Sequence, residues 1–216
     1  MLQRRFRRLR TVLERRQPDL TVLLENVHKP HNFAAVLRSA DATGIFEAHA
    51  VVHDGELRTS LVSAAGSHKW VRTHFHHDIS TAAVTLKERG FRLLAAHPVP
   101  DAVDYRQVDF THPTAVLFGQ EKDGLTPAAL ELADGALSIP MVGFVASLNV
   151  SVAAAVVLFE AHRQRSAAGF YDRSRLDSET FESTLFEWAY PKLAAKCRRE
   201  GHPYPALGPS GKILES

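Results

Sequence analysis

The stretch IPMVGFVASLNVSVAAAVVLFE, residues 139–160, sets the reading of the whole chain. Pro140 and Gly143 open it as a loop. Ser147, Leu148 and Asn149 follow, and then a run of small and β-branched residues ends at Glu160. The pattern predicts a loop that turns into a buried helix whose first turn carries polar groups. Ser147 and Asn149 are both good N-cap types, and free N–H groups at a helix start suit an anionic or polar ligand. Ala153, Ala154 and Ala155 have so little bulk that another backbone can approach closely. A core helix with an ordinary capped start is the plainer reading of the same residues.

Working outward, strand and helix patterns alternate. Leu20–Glu25 reads as a buried strand, and residues 31–44 as a helix that Gly44 stops. Phe33, Leu37 and Ala40 form its apolar face, while His31, Ala35, Arg38 and Ala42 form a second stripe. Arg38 among alanines leaves room for a planar anion to meet the guanidinium. Pairing with Asp41 at i+3 explains it as well. Strands are expected at Phe46–His53, Trp70–Phe75, Phe91–Ala96, Thr114–Phe118 and Ala136–Ile139. Helices are expected at Ser80–Arg89, Ala128–Ala133 and Phe181–Arg199, with loops at residues 54–69 and 101–112. The result is an α/β fold with a mostly parallel sheet flanked by helices. Ligands in such folds bind at the carboxyl ends of strands. Here those ends are Ala96-His97, Gly119-Gln120-Glu121 and Ile139-Pro140-Met141.

The charge is uneven. Residues 1–16 hold seven arginines against Glu14, a net of +6. Residues 17–161 hold 10 basic and 16 acidic residues, and residues 162–216 hold 9 and 7, so the chain totals +2. A dense basic head points to a polyanion such as nucleic acid; a solvated helix that binds nothing is the alternative. Leu2, Phe6, Leu9 and Leu13 give that head one apolar helical face with which to dock. The expected organisation is a basic helical arm at 1–19, a body at 20–165 and a helical, then extended, tail at 166–216.

Several chemistries are disfavoured. The single cysteine, Cys197, allows no internal disulfide and suits a reducing cytoplasm. The start MLQRRFRRLR has no signal-peptide core, and Val150–Phe159 is too short to span a bilayer, so no membrane partner is expected. His74 and His76 share a strand face without a clear third ligand, so no metal is expected. No GxGxxG follows the first strand, and no GxxxxGK[ST] is present.

Three segments together carry a resemblance: NFAAVLRSADATG (32–44), FGQEKDGL (118–125) and IPMVGFVASLNVSVAAA (139–155). In this order and spacing they resemble the three motifs of the SpoU, or TrmH-type, branch of the SPOUT RNA methyltransferases. The likeness covers about residues 20–165, and both ends resemble the branch that methylates a guanosine ribose of tRNA. The resemblance implies a deep C-terminal trefoil knot, a homodimer, and an S-adenosylmethionine pocket lined by Ala96, Gly119, Ile139, Met141 and Leu148. It implies transfer of a methyl group to the ribose 2′-hydroxyl of guanosine-18 in the tRNA D-loop, in the cytoplasm.

Catalytic roles fall by resemblance on Arg38, Asn32, Glu121, Ser147 and Asn149. A guanidinium has a pKa above about 12, so Arg38 suits a phosphate clamp that stabilises the developing alkoxide better than it suits a base. Arg8, Arg10, Arg163, Arg165 and Arg173 are expected to grip the tRNA backbone. Ala146, where relatives often carry Gln, and Asp123 depart from the pattern and are expected to lie outside the motif core. The same chemistry on another tRNA position or on rRNA is the nearest alternative. A non-catalytic RNA-binding protein is the alternative of another class.

Overall fold

The structure is a computed structural model and describes residues 1–52, 69–120 and 123–214. The chain forms two compact units: Pro18–Ala168, and Met1–Gln17 together with Gly169–Ser216.

The central unit is built on a sheet. Its described strands are β1 (Leu20–Glu25), β2 (Glu47–Val51), β3 (Arg72–His76), β4 (Arg92–Ala96), β5 (Val103–Asp104), β6 (Thr114–Phe118) and β7 (Gly135–Ser138). They lie in the order β3-β2-β1-β6-β4-β7-β5, and every described pairing is parallel. The described helices are α2 (Pro30–Ala42), α3 (Ile79–Glu88), α4 (Pro127–Leu132) and α5 (Val150–Ala167); α1 (Gln3–Glu14) belongs to the other unit. Period-two alternation sorts the strands between two cores. Val22, Leu24, Leu94, Val116 and Phe118 join Phe33, Val36 and Leu37 of α2 and Ala154, Val157 and Leu158 of α5. Leu23, Leu93, Ala95, Ala115 and Leu117 face the opposite way, onto Ile79, Ala83 and Leu86 of α3 and Ala129 of α4. With both faces covered, β1 and β6 are buried at every position, which is why they read as unbroken apolar runs.

Most expected elements stand within two residues of their predicted bounds. Gly44 and Gly90 follow α2 and α3 with φ of +83° and +82°, the left-handed stop that glycine accepts most readily. His53 and residues 54–68 lie outside the described residues. The irregular reading of 101–112 misses the short β5 and a 3₁₀ turn at Tyr105–Gln107. Helix α5 also runs seven residues past Glu160, to Ala167.

The terminal unit contains α1 (Gln3–Glu14), α6 (Ser178–Ala189) and α7 (Pro191–Glu200). Phe6, Leu9 and Leu13 are buried as the spacing predicts, but Leu2 is 80% exposed. Arg10 lies 5.5 Å from the Phe181 ring centroid and Arg16 5.4 Å from that of Trp188, so the arginine stems join the seam between α1 and α6. The single helix expected over Phe181–Arg199 is two helices. Pro191 lacks an N–H and pushes Tyr190 out of helical geometry, to φ −133° and ψ 61°. The tail is not simply extended. Gly208 N–H donates to Lys212 O at 2.8 Å in a tight turn, and Tyr190 Oη donates to Gly211 O at 2.7 Å. A Cβ on Gly211 would come within 2.4 Å of the Phe6 ring, so the tail packs on α1 only as glycine.

Candidate active site

A cavity of about 270 Å³ opens where the predicted strand ends converge. The carboxyl ends of β4, β6 and β7, the loop 139–149 and the start of α5 form its wall. Ala96, Gly119, Ile139, Met141 and Leu148, the five residues expected to hold a cofactor, all line it. Ser147 lines it too, from the catalytic set.

The β6 end shows why the site needs glycine. A Cβ on Gly119 would lie 2.1 Å from the Gly124 carbonyl carbon and oxygen, a clash no rotamer relieves. The close approach lets Gln120 and Gly124 exchange both backbone hydrogen bonds, at 3.1 and 3.0 Å. Gln120 Nε2 also donates to Asp123 Oδ2 at 2.7 Å, and His97 packs against Gly124 from β4. Much of the resulting rim is backbone and small side chains, which suits a ligand recognised by shape and by main-chain polar groups.

The α5 end supplies the polar side chains. Ser151 N–H and Oγ donate to Asn149 Oδ1 at 2.9 and 2.6 Å, so Asn149 is the N-cap expected from the spacing. Asn149 Nδ2 donates to Asn32 Oδ1 at 3.3 Å, joining the first and third motifs across the α2–α5 contact. Asn32 is only 3% exposed, and among the described residues its Nδ2 has no hydrogen-bond partner. Buried amide donors are nearly always paired, so this one marks a place where a ligand acceptor fits.

Arg38 is exposed on α2 and is not in the cavity wall. Among the described residues no ion pair or hydrogen bond engages it, so the pairing with Asp41 is not formed. Glu121 lies outside the described residues. Arg8 and Arg173 are exposed; Arg10 pairs with Glu14 at 3.1 Å and Arg163 with Glu160 at 2.7 Å, both at the surface.

Arg165 is not the RNA contact expected from the sequence. It is fully buried, with bonds to Asp19 Oδ1 (2.6 Å), Asp19 O (3.1 Å), Phe110 O (2.8 Å) and His112 O (3.2 Å). A guanidinium so placed ties α5 to the sheet and cannot reach an RNA backbone. Ala146 and Asp123 also differ from expectation, since both line the cavity. In the sequence His97 and Gln120 stand out only as strand ends, and Ser138, also in the wall, carries no signal.

The histidines of β3 have side-chain partners on β2. His49 on β2 stacks with His74 and His76 at ring-centroid distances of 5.0 and 5.2 Å. His49 Nδ1 and His76 Nε2 share a hydrogen bond at 2.9 Å, and His74 Nε2 meets Glu47 Oε2 at 3.1 Å. Arg89 closes the cluster on Glu47. Among the described residues no group of three or more such side chains is arranged to hold a metal ion.

Residues 19–159 match the SpoU rRNA methylase family, and residues 163–216 match the C-terminal region of SpoU rRNA methylases. The chain therefore belongs to the SpoU methylase family. Within it, the chain is 59% identical over 184 residues to the tRNA (guanosine(18)-2′-O)-methyltransferase of Thermus thermophilus, covering 85% of this chain and 95% of the relative. It is 49% identical over 211 residues to the Escherichia coli enzyme of the same name, covering 97% and 92%. The solved TrmH/SpoU tRNA modifying enzyme of Aquifex aeolicus superposes with a TM-score of 0.79 at 38% identity, covering 88% of this chain and 97% of that one. The SpoU methyltransferase AviRb of Streptomyces viridochromogenes, solved with the cofactor AdoMet, has a TM-score of 0.62 at 30% identity, covering 71% and 62%.

Proposed function

We propose that this protein methylates the ribose 2′-hydroxyl of guanosine-18 in the tRNA D-loop, with S-adenosylmethionine as methyl donor. The observation that carries the proposal is the cavity. It gathers all five expected cofactor residues beside the Asn32–Asn149 pair, in a chain so similar to guanosine-18 methyltransferases.

S-adenosylmethionine brings an already activated methyl group on its sulfonium. What remains for the chain is to place the ribose hydroxyl in line and help its proton leave. Gly119, Ile139, Met141 and Leu148 hold the donor through shape and main-chain groups. Asn149, fixed as the cap of α5, and Asn32, with a buried donor that no described residue engages, orient the hydroxyl and its neighbours. Arg38, unengaged by the described residues, clamps an RNA phosphate and stabilises the developing alkoxide. Ser147 faces the same space, and Glu121 keeps the role that motif likeness gives it.

The terminal unit is the proposed tRNA grip. It holds 14 basic and 8 acidic residues, a net of +6, against 12 and 16 in the central unit. Arg8, Arg10 and Arg173 belong to it, and Arg163 adds a cation on α5. We further propose the family's trefoil knot and homodimer for this chain. The dimer is supported by bare apolar side chains on the loop and helix that build the site: Val142 and Phe144 are fully exposed, and Val145, Val152 and Phe159 are exposed as well. A free, buried Cys197 suits the reducing cytoplasm, and no described helix is long and apolar enough to cross a membrane.

The test is transfer of labelled methyl to unmodified tRNA, with the product mapped. Arg38→Ala should cut turnover by about a thousandfold or more while cofactor binding stays within about twofold. Near wild-type turnover would remove Arg38 from the mechanism.

A further inference from the structure

Between β6 and α4 the chain leaves the sheet to build one wall of the cavity, and it must be caught again on the far side. Gly119, Gln120, Asp123 and Gly124 line that wall. Gly119 and Gly124 close the neck of the loop, and Gln120 and Asp123 tie across it. At the exit stands Thr126, and its partner comes from a different strand. Glu25, the last residue of β1, is 2% exposed. Its Oε2 accepts from Thr126 N–H at 2.9 Å and its Oε1 accepts from Thr126 Oγ1 at 2.7 Å. Thr126 Oγ1 in turn accepts from Ala129 N–H at 3.2 Å and caps α4.

We infer that Glu25 is a positioning residue for the methyl-donor site, acting through Thr126 on Gly119, Gln120, Asp123 and Gly124 of the cavity wall. β1 and β6 are neighbours, with Leu24 opposite Phe118, so Glu25 stands where β6 gives way to the loop. One end of the loop is thus held by the sheet and the other by a two-point clamp. A buried carboxyl group is costly unless its oxygens are hydrogen-bonded, and here both oxygens are spent on a single residue, Thr126. Capping α4 alone would not need it, since Thr126 caps that helix with its own hydroxyl. What the clamp adds is a fixed position for Gly119, Gln120 and Gly124 in the cavity wall.

The inference rests on the reading of the cavity as the S-adenosylmethionine site, and the experiment separates the two. Calorimetry with S-adenosylmethionine is run first on the full-length wild-type protein. Absence of binding there would sink the cofactor reading and, with it, the role given to Glu25. With wild-type binding in hand, Glu25→Ala and Thr126→Val should each raise the cofactor Kd and KM about tenfold, and the double variant no more than either alone. The KM for tRNA should stay within about twofold in each. Glu25→Gln should recover most of the loss, because its amide can accept from Thr126 N–H and donate to Thr126 Oγ1. If Glu25→Ala does not fold, Thr126→Val and Glu25→Gln carry the same comparison, with thermal melting as the check on folding. Cofactor affinity within about twofold of wild type in the clamp variants, equal losses in both KM values, or fully additive effects would overturn the inference.

Discussion

The two ends of α5 are built from similar polar side chains and put to opposite uses. At its carboxyl end, Gln164 accepts from Phe110 N–H at 2.8 Å and donates to Val108 O at 2.9 Å, while Arg165 is buried among four acceptors. At its start, Ser147 is exposed toward the cavity, and Asn149 donates to Asn32, whose own amide nitrogen has no partner among the described residues. A saturated polar group holds structure in place, and an unsaturated one beside a cavity is available to a ligand. One helix therefore anchors at one end and presents chemistry at the other.

The contrast is broken most severely at the anchored end. Arg165→Met should lower stability by about 3–5 kcal/mol, because it leaves Asp19 and three backbone carbonyls without their donor. Denaturant unfolding would show this. In the fraction that folds, cofactor affinity should stay within about twofold of wild type. At the open end the order reverses. Asn149→Asp keeps an oxygen to cap Ser151 N–H but cannot donate to Asn32. Stability should then hold within about 0.5 kcal/mol while turnover falls about a hundredfold. Equal losses of stability and turnover in both variants would erase the distinction between the ends.

A smaller effect belongs to a region apart from both ends. Burial lowers the pKa of His49, with the attraction of Glu47 only partly opposing it, and burial likewise lowers that of His76, helped by the neighbouring histidines. Burial works against ionisation of Glu47, but His49, His74 and Arg89 outweigh it and hold the carboxyl far below its usual range. All three groups are depressed in the folded state, so each resists protonation there. Their contribution is complete above the ordinary histidine pKa of about 6.5 and is lost as pH falls, first through the histidines and then through Glu47. The melting temperature should therefore drop on acidification below about pH 6.5, and His49→Asn should flatten the upper part of that slope. A melting temperature that rises on acidification would contradict the cluster's assigned states.

What could be read in advance follows the same division. β1 and β6 were legible because burial on both faces leaves an unbroken apolar run, and α2 because Gly44 ends it. The cavity wall was legible through motif likeness and strand ends. Partners distant in sequence were not. Arg165 looked like one more surface arginine because Asp19 is 146 residues away, and Glu25 looked like a strand terminus because Thr126 is 101 residues away. His74 and His76 lacked a visible partner because His49 reaches them only when β2 and β3 lie side by side. The break at Pro191 was written locally and overridden by the apolar spacing on either side.

The most direct test of the account uses two tRNA transcripts that differ by a single oxygen, one with guanosine and one with 2′-deoxyguanosine at position 18. With labelled S-adenosylmethionine, the first should accept about one methyl group per molecule and the second none. Comparable labelling of the deoxy transcript would contradict the assignment of the ribose 2′-hydroxyl of guanosine-18 as the methyl acceptor.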